Sequence, residues 1–142
     1  MKTFALSAAI AMCLIQSAFG LELSNNQKRA MSNLQADLVE CEAYYKLVDE
    51  CVGETNILAR GAKASGSKIR KMSDAIALAV EMAPNDYTSR LNMATAHHRD
   101  LKKNNCANVS SLVSRYGNIC KSKLDNAVSK LNDILDGKID DK

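Results

Sequence analysis

An apolar stripe with a seven-residue repeat is the feature that most constrains what this chain can fold into. Between residues 31 and 52, apolar side chains recur at alternating steps of three and four residues. This spacing places them on one face of an α-helix, and such a face is typically buried against other helices. The members of the stripe are Met31, Leu34, Leu38, Cys41, Tyr45, Val48 and Val52.

The same periodicity continues along the chain, and its interruptions predict where helices begin and end. The first helix is predicted to begin after the N-cap Ser24, with Gln27 completing a capping box, and to end at about Cys51. A second helix follows and is ended by Pro84. Glycines and serines in its middle predict that it bends or breaks near residues 61–67, or that another helix approaches closely there.

Two further helices complete the predicted fold. The third is capped by Asn85 or Asp86 and fades at Asn104, and the fourth runs from near Asn108 to Gly137. All connections are short, so consecutive helices are expected to be antiparallel neighbours. The sequence therefore predicts an all-α fold, an antiparallel up-and-down four-helix bundle.

Residues 1–20 have the pattern of a cleaved secretory signal peptide. Lys2 forms a positive start, residues 4–15 are apolar, and the small residues Ala18 and Gly20 stand before the predicted cleavage point. About 12 apolar residues are too few to span a bilayer. No transmembrane segment is expected after cleavage, and the predicted location is the periplasm or the extracellular space.

Cleavage leaves a single predicted helical domain at residues 21–137 and a polar tail at residues 138–142. It also removes Cys13, so that four cysteines remain. An even number of cysteines in an exported chain predicts two disulfides. Free thiols or metal ligands are the alternative, which the absence of a Cys-x-x-Cys motif and of Cys/His pairs at zinc spacing disfavours.

Helix geometry selects one of the three possible cysteine pairings. Cys41 and Cys51 are separated by about 15 Å of helix rise, far more than a disulfide spans, and Cys106 and Cys120 are similarly separated. If the first and fourth helices are antiparallel, Cys41 lies level with Cys120, and Cys51 lies near Cys106. The predicted disulfides are therefore Cys41–Cys120 and Cys51–Cys106.

The apolar stripes of these two helices support the same register. Tyr45 then faces Tyr116 and Val48 faces Val113, so that the two tyrosine rings are expected to pack on each other. Helix 2 is longer than helix 3 in this prediction, and straight helices would place Cys51 and Cys106 at different heights. The pairing therefore predicts a bent or interrupted helix 2.

Few residues of the sequence are candidates for ligand binding or catalysis. Met93, His97 and His98 are the best candidates for ligands, because a thioether and an imidazole four residues apart share a helix face and could bind copper or a haem iron. A half-buried His98 beside a solvated His97 is the structural alternative. The chain has no Gly-x-Ser-x-Gly, no His-Glu-x-x-His and no glycine-rich phosphate loop, so it is not expected to be an enzyme.

A cluster of positive charge is the remaining candidate for function. No acidic residue occurs between Thr55 and Ser73, and this segment is expected to meet an anionic surface or to form a solvated helix face. Cleavage of residues 1–20 would lower the formal net charge from +3 to +2, and this near-neutral balance disfavours a nucleic-acid-binding protein. The basic residues are Arg60, Lys63, Lys68, Arg70 and Lys71.

The sequence thus predicts an exported, non-catalytic binding module without a cofactor or metal, whose partner is an unknown protein or an anionic surface. The alternative is a metal- or haem-binding bundle that uses Met93, His97 and His98. Asn108-Val109-Ser110 also fits the N-glycosylation sequon, which we expect to be unused.

Overall fold

The computed structural model describes residues 22–53 and 56–138, and this part of the chain is all-helical, as predicted. The predicted signal peptide and residues 139–142 of the predicted tail lie outside the described residues. Four α-helices follow one another, with a short 3₁₀-helix before the last. They are α1 (Asn25–Cys51), α2 (Ile57–Ala79), α3 (Pro84–Leu101), the 3₁₀-helix (Cys106–Asn108) and α4 (Val109–Leu135).

Helix α1 is the centre of the fold. It packs along each of the other three helices, whereas those three make few contacts with one another. The prediction of a single buried stripe on α1 is therefore too narrow, because neighbours surround the helix on most sides. Tyr45 and Val52 of the stripe are only half-buried. The residues of α1 that are buried outside the stripe are Ala30, Gln35, Val39, Glu42, Ala43, Tyr44 and Leu47.

Contacts along α1 fix the direction of α2. Lys28, near the start of α1, lies 3.6 Å from Glu81 just after the end of α2. Farther along α1, Glu42 pairs with Arg70 in the middle of α2. The order of these contacts is reversed along the two helices, so α1 and α2 are antiparallel.

Helix α3 runs in the same direction as α1. Near its start, Arg90 donates hydrogen bonds to the carbonyl and hydroxyl oxygens of Ser32. Near its end, Arg99 lies 3.7 Å from Glu50. Together with the antiparallel α2 and α4, this direction gives the predicted alternation of up and down helices. The expectation that all consecutive helices are neighbours is met only by α1 and α2, because α2, α3 and α4 make few contacts with one another.

Both disulfides join α1 to the far end of the chain. Cys41 is bonded to Cys120 with 5.3 Å between their Cα atoms, and Cys51 is bonded to Cys106 with 5.1 Å. These are the predicted pairs. The first bond lies at the fully buried α1–α4 contact, and the second links the end of α1 to the 3₁₀-helix that precedes α4.

Helix α2 is continuous through residues 61–67, so the predicted interruption there does not occur. The bond between Cys51 and Cys106 does not need one, because α2 is shorter than expected. It has 23 residues against 18 in α3, a difference of about 7.5 Å in rise. The prediction that Asn85 or Asp86 caps α3 is also wrong: Ala83 is the N-cap and Pro84 is the first helical residue, a position that proline favours.

One side chain joins the beginning of α1 to the end of α4. Ser24 and Gln27 form the predicted capping box at the start of α1. The side-chain amide nitrogen of Gln27 also donates to the backbone carbonyls of Ile134 and Leu135 at the C-terminal end of α4. Gly137, which was predicted to end the fourth helix, follows the last turn of α4 with a φ of 69°.

Candidate functional site

Helix α2 has two unlike faces, and the difference follows from its sequence. Its inner face carries small and apolar residues that pack on α1. At one point this contact is tight, because a Cβ atom on Gly66 would lie only 3.3 Å from the Cβ of Tyr45 and would push the two helices slightly apart. The glycines and serines near residues 61–67 thus include a close-approach site. The buried residues of α2 are Ala59, Ala62, Ile69, Ser73 and Ile76.

The outer face of α2 carries four basic residues without a carboxylate partner, which we call the cationic face. All four side chains are exposed. Among the residues that the structure describes, no Asp or Glu oxygen lies within salt-bridge distance of them. The residues of the cationic face are Arg60, Lys63, Lys68 and Lys71.

Arg70, the fifth basic residue of the predicted cluster, has a structural role instead. Its guanidinium contacts both carboxylate oxygens of Asp74 at 3.0 and 3.1 Å and an oxygen of Glu42 at 3.1 Å. It also lies over the ring of Tyr87, 5.0 Å from the centroid. Asp74, the acidic residue of α2, is therefore paired with Arg70 and not with a residue of the cationic face.

Glu42 is the centre of this polar network. It is only 8% exposed, and besides Arg70 it accepts a hydrogen bond of 2.5 Å from the hydroxyl of Tyr87. Burial, and then this hydrogen bond to Glu42, raise the pKa of the Tyr87 hydroxyl well above its usual range. The Tyr87 hydroxyl therefore stays protonated and donates a hydrogen bond to Glu42. The buried carboxylate of Glu42 is thus paired with Arg70 on α2 and with Tyr87 on α3.

The positive charge of the protein is concentrated on α2. This helix contains five basic residues and one acidic residue, a net charge of +4, whereas the whole chain has +3. The rest of the chain is thus slightly acidic. Since the inner face of α2 is buried on α1, this excess charge is displayed outward, where Arg60, Lys63, Lys68 and Lys71 are in contact with water.

No protein-family model matches this chain. Neither a curated protein nor a solved structure is significantly similar to it. The function of the cationic face must therefore be argued from its own residues.

The structure separates His98 from the other two members of the predicted ligand set. Met93 is 74% exposed on the outside of α3, whereas His98 is completely buried. His97 is exposed, with its Nε2 3.4 Å from the hydroxyl of Tyr116. Within the described residues, no group of three His, Cys, Asp or Glu side chains is placed to hold a metal ion. Met93 and His98 face opposite environments and do not converge on one ligand position.

His98 instead belongs to a buried aromatic cluster between α1, α3 and α4. Its Nε2 lies 3.1 Å from the backbone carbonyl of Glu40 and donates to it. This leaves Nδ1 as a buried acceptor without a partner among residues 22–53 and 56–138. The ring of Tyr116 packs edge-on at 4.5 Å, and Tyr44 lies at 6.5 Å. Burial lowers the pKa of His98, because the protonated ring would lose its hydration.

The expected contact between Tyr45 and Tyr116 is wrong. Tyr44 lies 6.3 Å from Tyr116, and Tyr45 faces Gly66 on α2. The register between α1 and α4 is correct, but adjacent helical residues point about 100° apart, and α1 is buried on both of these sides. Tyr44 was missed because the heptad pattern assigned only one buried face to α1.

The sequon residue Asn108 is half-buried at the start of α4, where its side-chain amide donates to the backbone carbonyl of Lys102. Gln35 is buried and accepts a hydrogen bond of 2.8 Å from Arg90. Neither Glu42 nor Gln35 was predicted from the sequence as a buried polar residue. The signal that could have found both is their spacing of seven residues, which places them on one side of α1, between α2 and α3.

Proposed function

We propose that this protein is a non-catalytic binding module of the periplasm or extracellular space that engages an anionic partner through the cationic face of α2. The observation that carries the proposal is the set of four exposed basic side chains without carboxylate partners. Unpaired charges of one sign on one side of a helix produce a local positive potential that attracts anionic surfaces. The disulfides suit this role, since they are compatible with an oxidising compartment.

The side chains that could act as nucleophiles or exchange protons are held in disulfides or hydrogen bonds within the fold, and this supports a non-catalytic role. All four described cysteines are in disulfides, so none offers a thiolate nucleophile. The Nε2 of His98 is bonded to the backbone, and the carboxylate of Glu42 is held by Tyr87 and Arg70. These groups act within the fold, whereas no side chain of the cationic face is ion-paired with another of the described residues.

Two variants of equal net charge test whether the placement of charge matters. In the face variant, Arg60→Gln, Lys63→Gln, Lys68→Gln and Lys71→Gln remove the cationic face. In the control variant, four exposed lysines outside α2 are replaced by glutamine. Each variant lowers the net charge by four. The control positions are Lys46, Lys103, Lys121 and Lys130.

The measurement is binding to immobilised poly-L-glutamate as a function of salt. The natural protein is expected to bind at 50 mM NaCl and to lose affinity as the salt concentration rises, because counterions screen exposed charges. We expect the face variant to bind at least about tenfold more weakly than the control variant. Equal binding by the two variants would mean that net charge alone determines the interaction, and the proposal would be wrong.

A further inference from the structure

The outer side of α2 also displays two large apolar side chains in water. Ile57, the first residue of the helix, is 78% exposed, and Leu78, near its end, is 69% exposed. At 3.6 residues per turn, Leu78 lies five turns from Arg60 on the same line along the helix, and Ile57 lies about 60° away from that line. The cationic face is therefore bounded at each end by an exposed apolar residue.

These residues form one continuous surface along the helix. Ile57 and Leu78 are about 32 Å apart along the axis, and the four basic residues lie between them. Lys71 is within about 20° of the line through Arg60, whereas Lys63 and Lys68 lie on its two sides. A flat surface placed along α2 would meet all six side chains at once.

We infer that α2 binds the surface of an anionic lipid bilayer, with its axis in the plane of the surface and with Ile57 and Leu78 inserted between the headgroups. This inference rests on the proposed function and names its partner. The helix would not insert as an ordinary amphipathic helix does, because its apolar inner face is already packed on α1. Attachment would instead combine four basic side chains at the headgroups with two apolar anchors.

The apolar anchors favour a bilayer over other polyanions. An acidic protein segment or polysaccharide can neutralise lysines and arginines, but it leaves isolated apolar side chains in water. The interface of a bilayer takes up both kinds of group, since anionic headgroups attract the cations and the acyl boundary accepts apolar side chains. The long stems of Lys63 and Lys68 allow their ammonium groups to reach phosphate oxygens beside the helix.

Vesicle flotation tests the inference with the full mature protein. Vesicles of equal parts phosphatidylglycerol and phosphatidylcholine are compared with vesicles of phosphatidylcholine alone. We expect binding to the anionic vesicles only, reduced about fivefold for each basic residue removed from the cationic face. The control variant that lacks four lysines outside α2 should retain most of its binding.

The double substitution Ile57→Ser and Leu78→Ser tests the contribution of the apolar anchors to vesicle binding separately from that of the basic residues. It should weaken binding to the anionic vesicles about tenfold or more, because each anchor loses its apolar contact, and should leave binding to poly-L-glutamate unchanged. Both positions are exposed in the fold, so the substitution leaves the core intact. Equal binding of this variant and the natural protein to the vesicles would overturn the inference.

Insertion can also be observed directly, because the chain contains no Trp. Ile57→Trp or Leu78→Trp should give fluorescence that shifts to shorter wavelength when anionic vesicles are added. Val128→Trp is the control, since Val128 is an exposed apolar residue on α4, with 59% exposure. A shift at Val128 alone would contradict the assigned surface.

The two experiments distinguish failure of this inference from failure of the proposed function. If the face variant loses binding to poly-L-glutamate but the natural protein does not bind anionic vesicles, the partner is a different polyanion and the inference is wrong. If the face variant and the control variant bind poly-L-glutamate equally, the proposed function is wrong and the inference falls with it.

Discussion

Helix α1 holds its two antiparallel neighbours by different means. Its contact with α4 is covalent and aromatic: the disulfide between Cys41 and Cys120 lies in the core, and Tyr116 packs beside it. Its contact with α2 has no disulfide and depends on small residues such as Gly66 and on the pair of Glu42 with Arg70. Helix α4 is therefore fixed to α1 by a disulfide. Helix α2, which carries the cationic face, is held to α1 without a covalent bond.

This difference separates the helix pair that stabilises the fold from the helix that carries the proposed binding surface. The disulfide between Cys51 and Cys106 closes a loop that contains α2 and α3, but no cysteine lies on α2 itself. The inner face of α2 consists mostly of small residues, so the helix can sit close to α1 while its outer face keeps the lysines and arginines in water. Substitutions on the outer face should therefore alter binding and leave the fold almost unchanged.

Removal of the disulfides should have the largest effect on stability. By the loop-entropy relation, the sequence separations of 79 and 55 correspond to about 4.5 and about 4.2 kcal/mol. Replacement of Cys41 and Cys120 by alanine should cost more than replacement of Cys51 and Cys106, because the first pair is completely buried. Urea unfolding of both double variants, followed by circular dichroism, measures this difference.

The natural protein under non-reducing conditions is the control for these two variants. If the loss of the buried pair cost less than the loss of the exposed one, the contact between α1 and α4 would not be the main structural joint of the fold.

The polar network of α2 should contribute less than a disulfide. Tyr87→Phe removes the hydroxyl that donates to the buried carboxylate of Glu42, and it should lower the free energy of unfolding by about 1.5–3 kcal/mol. Arg70 remains as the second partner of Glu42, so the carboxylate is not left alone. Urea unfolding at pH 7 measures the effect.

Thr88→Ser serves as the control for this substitution, because Thr88 is exposed and its hydroxyl bonds only to the backbone of its own helix. If Tyr87→Phe were as mild as Thr88→Ser, the hydrogen bond to Glu42 would contribute nothing to the attachment of α3 to α1.

The two glycines of α2 provide a sharper test of how closely this helix approaches α1. Gly61 is exposed, with no atom within 4 Å of a Cβ built on it, so Gly61→Ala should stabilise the protein by about 1 kcal/mol through helix propensity. The same change at Gly66 meets the Cβ of Tyr45 at 3.3 Å. We expect Gly66→Ala to lose this gain, so that the variants differ in stability by about 1 kcal/mol or more.

Thermal unfolding of the two single variants and of the natural protein measures the difference. Equal stabilisation by both substitutions would show that α2 does not need a glycine at its contact with α1, and that the two interfaces of α1 are packed more alike than described above.

The parts of the fold that sequence could predict are those that depend on regular geometry. Helix number, direction and disulfide pairing follow from a repeat of seven and from the rise per residue, so Cys41 could be matched to Cys120. Periodicity does not show how many neighbours surround a helix, and for this reason Tyr44 and Glu42 were missed. The basic cluster was visible in sequence, but the distinction between Arg70 and Lys71 depends on Glu42, which lies 28 residues earlier in the chain.

Titration of the buried His98 should have the smallest effect on stability near neutral pH. His98 belongs to the aromatic cluster beside α4, the helix that a disulfide joins to α1. In the folded protein, burial holds the pKa of His98 below the value of 6.5 expected for the unfolded chain, so the unfolded chain binds the proton more readily. The stability that depends on neutral His98 is complete above pH 6.5 and is lost as the pH falls from 6.5 towards the folded pKa. We therefore expect the free energy of unfolding to decrease between pH 7.5 and pH 5.

His98→Gln keeps an amide donor for the carbonyl of Glu40 but cannot titrate, so its stability should depend less on pH over this range. His97→Gln is the matched control, because His97 is its exposed neighbour and its substitution should leave the dependence in place. Urea unfolding at pH 5, 6, 6.5 and 7.5 gives the slope for each protein. If His98→Gln kept the natural slope, the acid sensitivity would come from carboxylates, and the aromatic cluster between α1, α3 and α4 would be indifferent to pH.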